Sequence, residues 1–150
     1  MKKNRILEII SALLVFLFIY AAVSKLLDFD KFNYQLHQSP FIANISGFVA
    51  WAIPLGEIGI SILLISKRTR IVGLYLSLFL MLLFTGYIFI MLKYSSYLPC
   101  SCGGVLSKMS WKQHFIFNLL FTGLSLWGIM IHINTTNRNE AEHLKKKVGT

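Results

Sequence analysis

Four apolar blocks constrain this chain more than any other feature. Ile6–Leu27, Ile45–Ile65, Ile71–Leu92 and Phe115–Ile133 each run about 19 to 22 residues. As helix that is roughly 30 Å, the thickness of a bilayer's hydrocarbon layer. Lipid offers no partner to a backbone N–H or C=O, so a spanning segment must satisfy its own, which a helix does locally. The blocks raise the hydrophobic fraction to 55% against 14% charged residues, well above the balance of a soluble domain. The expectation is an all-α integral membrane protein: a four-transmembrane-helix bundle over residues 1–133 and a charged tail over 134–150.

The net charge of +9 would raise the question of nucleic acid in a soluble protein, but here the charges sort by loop. Lys2, Lys3 and Arg5 precede the first block, Lys67, Arg68 and Arg70 link the second to the third, and Arg138 and Lys145–Lys147 lie in the tail. Simple threading puts these ten on one side, against Lys31, Lys93, Lys108 and Lys112 on the other. The positive-inside rule then places both termini in the cytoplasm and the loops at 28–44 and 93–113 outside, in the periplasm of a bacterial inner-membrane protein. The basic balance reflects topology and contact with anionic lipid, and gives no support to a nucleic-acid role. Lys2–Arg5, the apolar run and Ala22–Ser24 have the outline of a signal peptide. The run is longer than a usual signal core, however, and Lys25–Leu27 continues its pattern.

Between the first two blocks, Phe29, Phe32, Leu36 and Phe41 recur at helical spacing among polar residues. This predicts a short surface helix within the segment 29–42, ended by Ser39-Pro40. Lys25, at the exit of the first block, has a stem long enough to snorkel outward. In the second block Pro54 removes a backbone donor, and Ala52 and Gly56 form a small-xxx-small pair that admits a close neighbouring helix. Glu57 is the unusual residue there, because a mid-span carboxylate is costly and demands a partner. The candidates are Lys25, a backbone group freed by Pro54, or a proton relay or quinone contact. The fourth block opens on Ser110–Gln113, which has the form of a capping box. His114 and Asn118 follow at i, i+4 on one face; Asn118 reads as a helix–helix hydrogen-bonding residue. The tail after Asn134 is polar and reads as frayed helix or disorder.

The chain has two cysteines, Cys100 and Cys102, in the turn-forming segment Tyr97–Val105. Alternate cysteines in an exposed, glycine-flanked loop can close a small, strained ring, and strained disulfides are the easily reduced ones. That favours redox exchange. A static disulfide, inert thiols, or a metal site joined by His114 and His37 remain open on the residues alone. His114, about a dozen residues after Cys102, would raise the thiolate fraction if it stood near as imidazolium.

Ser24-Lys25 with Asp28-Phe29-Asp30 and Phe32, Pro54 with Glu57, and the run Cys100–Gly104 together resemble the MauE/DoxX-like membrane proteins over about residues 6–133. The resemblance implies a four-helix membrane bundle associated with disulfide chemistry. It also implies a link to methylamine utilisation, in which such a protein supports maturation of the disulfide-rich small subunit of methylamine dehydrogenase beside a thioredoxin-like partner. Cys100 and Cys102 would be the redox pair, and Lys25 and Glu57 motif positions without an assigned role. Quinone-linked disulfide oxidases are an analogy, but their C-x-x-C is here C-x-C and a second pair is absent, so a partner must supply or receive the electrons.

The expected function is therefore an inner-membrane thiol–disulfide redox component, a thiol–disulfide oxidoreductase or a subunit of one. It would work with a periplasmic thioredoxin-like protein or cysteine-containing client, and quinone is the candidate cofactor. The alternatives are a non-enzymatic assembly or maturation factor that holds its partner through Phe29–Phe41, and a small-solute carrier built around Glu57. The bundle could stand alone or as a homodimer.

Overall fold

The computed structural model describes residues 2–38, 43–94 and 111–148, and everything below refers to these. They form five α-helices: α1 (Lys2–Leu27), α2 (Phe29–His37), α3 (Ser46–Ile65), α4 (Arg70–Tyr94) and α5 (Trp111–Val148), with a 3-10 turn at Ala43–Ile45 before α3. Four stretches, Arg5–Leu27, Ala43–Ile65, Arg70–Ile90 and Lys112–Asn137, are long and apolar enough to cross a membrane. Large apolar side chains cover the outside of the bundle: Phe16 is 74% exposed and Phe48 77%. In water such a surface would be an association liability, whereas lipid accepts it. The chain is a multi-pass membrane protein.

The four long helices form a ring in which α1 packs on α3 and α5, and α4 on α3 and α5. Leu14 and Phe18 of α1, Leu64 of α3, Leu74 and Met81 of α4 and Ile129 of α5 fill the centre. Lipid tails are as apolar as these side chains, so the helices must be held by close fit rather than by escape from water. Buried serines permit that fit. Ser11, Ser61, Ser77 and Ser125 donate their hydroxyls to the carbonyls of Leu7, Glu57, Gly73 and Phe121 one turn back, so each is satisfied within its own helix and leaves the facing surface small. The α3–α4 link is equally economical: Thr69 Oγ1 donates to Leu63 O at 3.0 Å, covering a carbonyl that the end of α3 would otherwise leave open.

Two glycines set the closest approaches. A β-carbon at Gly73 would lie 3.0 Å from the backbone nitrogen of Leu64, and one at Gly128 would lie 3.1 Å from Leu74 and 3.3 Å from Ile10. Gly56 has nothing within 4 Å of that position, and Ala52 is exposed. The expected close approach at Ala52 and Gly56 therefore does not form among the described residues. The rotation of α3 is set instead by Ala50, Pro54, Glu57, Ser61 and Leu64, which are buried at helical spacing and turn 52 and 56 outward. Gly73→Ala is expected to lower the thermal midpoint of the purified protein, by overpacking worth about 1–3 kcal/mol. Gly59→Ala, with open space at its β-carbon, should leave the midpoint unchanged or raise it through helix propensity.

The predicted surface helix is α2. It lies across one end of the bundle with Phe32 and Leu36 packed on Ala50 of α3. Phe29 meets Trp51 with ring centroids 4.8 Å apart, and His37 Nδ1 lies 2.8 Å from Ser46 Oγ. Ser39-Pro40 falls outside the described residues. The tail expected to fray continues α5 as helix to Val148. Residues 134–148 contain no proline or glycine, which suits a continuing helix.

Candidate functional site

Beneath α2 the five helices enclose a cavity of about 390 Å³, within the range of small-ligand sites. Its walls are mostly apolar, with Phe18 from α1, Phe32 from α2, Phe84 and Tyr87 from α4 and Phe117 from α5. Its polar groups are few: Lys25 from α1, Gln35 from α2, Glu57 from α3, and His114 and Asn118 from α5.

The organising contact is an ion pair. Lys25 Nζ donates to Glu57 Oε1 at 2.7 Å, and the two side chains are 12% and 0% exposed. The ammonium also approaches the Ala21 carbonyl at 3.4 Å and stands over the rings of Phe32 and Phe84, 5.9 and 5.6 Å from their centroids. Lys25 thus points into the bundle, not outward as its place at the exit of α1 suggested. Two causes act together. An uncompensated carboxylate at this depth draws the cation inward, and α2, folded over the end of α1, places Phe32 against the ammonium, where a ring face attracts it. Of the partners proposed for Glu57, the structure shows Lys25.

The pair leaves groups over. Glu57 Oε2 and Asn118 Nδ2 are buried and have no hydrogen-bond partner among the described residues. Asn118 is 4% exposed and borders the cavity one turn beyond His114. His114 is half-buried. The sequence placed His114 and Asn118 on one face of their helix and singled out Glu57 and Lys25. What it missed is that all four meet at one cavity, and that Phe84, in a span without acidic or histidine residues, completes the cage around Lys25.

Cys100 and Cys102 lie outside the described residues, as does Ser110 of the capping box. The helices on either side of that segment, α4 ending at Tyr94 and α5 starting at Trp111, meet where Phe89 and Phe115 lie 6.2 Å apart. Among the described residues no three His, Cys, Asp or Glu side chains gather in a way that could hold a metal ion.

The family described as methylamine utilisation protein MauE matches residues 3–131. The chain belongs to the MauE family. The match takes in Lys25, Glu57, His114, Asn118 and both cysteines, so the family's extent coincides with the ring of four long helices up to Ile131. Comparison with curated proteins and with solved structures gives no match.

Proposed function

We propose that this MauE-family protein is an inner-membrane thiol–disulfide redox component. Cys100 and Cys102 form the reactive pair, facing the periplasm with both termini cytoplasmic, and exchange electrons with a thioredoxin-like protein or a cysteine-containing client in methylamine utilisation. One observation carries this reading furthest. The cysteine-bearing segment leaves α4 and enters α5 at the end of the bundle where Lys25 and His114 line the cavity. A helix N-terminus, here that of α5 at Trp111, is among the surroundings that lower a thiol's pKa and favour the attacking thiolate. A client dithiol that closes to a disulfide releases two electrons and two protons, which the Cys100–Cys102 disulfide takes up as it opens to two thiols.

The test is the redox state of the pair in native membranes, read by differential alkylation and mass spectrometry before and after a mild reductant pulse. Reversible passage between dithiol and disulfide supports exchange, and a pair that stays oxidised throughout makes the disulfide structural. The assembly-factor reading uses the segment Phe29–Phe41 and the outer loop to hold a partner, with the disulfide shaping that loop. Within the described part of that segment, Phe32 and Leu36 are spent on α3, and Tyr34 is the exposed aromatic of α2.

A further inference from the structure

From the cavity's unmatched polar atoms we infer that it is a binding site for a lipid-soluble quinone, with Asn118 and Lys25 holding a quinone oxygen and Glu57 facing the same oxygen once it carries a proton. The inference rests on the redox reading above for the electrons, but the binding it asserts stands on the cavity alone.

The chemistry of the ligand follows from what the walls leave unsatisfied. Asn118 Nδ2 is a buried donor and Glu57 Oε2 a buried acceptor, neither with a partner among the described residues. A buried polar group without a partner costs about 1–3 kcal/mol, so two at one cavity point to an occupant that supplies both. An acyl chain supplies neither. A fatty-acid carboxylate would meet Glu57 Oε2 at close range while Lys25 is already neutralised at 2.7 Å by Oε1, so the occupant is uncharged. It presents an acceptor to Asn118 and to the third N–H of the ammonium, and at another time a donor to Glu57. A quinone carbonyl is the first and a quinol hydroxyl is the second. The flat walls of Phe18, Phe32, Phe84 and Phe117 suit a planar conjugated ring, and the surrounding lipid is where such a molecule dissolves. The stoichiometry closes as well. Reduction of quinone to quinol consumes two electrons and two protons, the number that a Cys100–Cys102 dithiol releases on oxidation.

The experiment uses the full-length protein in lipid nanodiscs and titrates decylubiquinone and menadione by calorimetry, with palmitate as the competitor. Saturable quinone binding that palmitate does not displace is expected. Asn118→Leu should weaken it by about tenfold or more, the equivalent of one lost buried hydrogen bond. Ile53→Phe, which fills the cavity from an apolar wall and disturbs no charge, should abolish binding while the protein keeps its thermal midpoint. The Cys100→Ser,Cys102→Ser double variant should bind as the parent does, so failure of thiol exchange and failure of quinone binding are told apart. Absence of saturable binding to the parent protein, equal binding by Ile53→Phe, or displacement by palmitate would each overturn the inference.

Discussion

Glu57→Leu should destabilise the purified protein by about 3–5 kcal/mol, whereas Lys25→Met combined with Glu57→Leu should be no less stable than the parent and up to about 4 kcal/mol more so. The asymmetry follows from burial. Glu57 is fully enclosed and Lys25 nearly so, so removing one leaves the other's charge in an apolar bundle with no counter-ion. Removing both leaves leucine and methionine of similar volume, and the cost of keeping two ions out of water disappears with them. Thermal unfolding in detergent of the parent, the two single variants and the double variant gives the coupling energy directly. Additive single effects would mean that the 2.7 Å contact carries no energetic coupling.

Cys100→Ser or Cys102→Ser is expected to abolish oxidation of a periplasmic client while leaving membrane content and thermal midpoint almost unchanged. Exchange requires both sulfurs, since one attacks and the other resolves the mixed disulfide, so loss of either is all-or-none. Stability tells a different story: a disulfide across three residues removes little loop entropy from the unfolded chain, less than about 2 kcal/mol. Client oxidation is read by gel shift after alkylation. Full client oxidation by both variants would sink the exchange reading, and a cross-linked partner retained by both would favour an assembly role.

The four spanning helices were legible because length and hydropathy alone decide what can cross a bilayer. Glu57 was legible for the same reason: a carboxylate at that depth is too costly to be incidental. Lys25 was legible as a candidate partner of Glu57 and shows as that partner. The outward course was the part that failed, because snorkelling assumes an unobstructed exit, and only the folded chain shows α2 laid across that exit with Phe32 against the ammonium. Ala52 and Gly56 misled because a small-xxx-small spacing states that a helix has a narrow face without stating what it faces. Gly73 and Gly128, isolated in sequence, make the close contacts, and no local pattern marks them. His114 and Asn118 could be put on one face by counting residues. That this face borders a cavity depends on the ring order of the helices, which no single segment encodes.

The Lys25–Glu57 contact also acts as a vernier between α1 and α3. Apolar side chains packing in lipid discriminate poorly between neighbouring alignments, since a shift by one helical turn, about 5.4 Å, swaps one leucine contact for another. The same shift pulls the ammonium away from Glu57 Oε1 and strands both charges. A pair that adds little to overall stability can therefore exclude every alignment of α1 on α3 but one, and with it fix where Lys25 and Glu57 stand in the cavity they line.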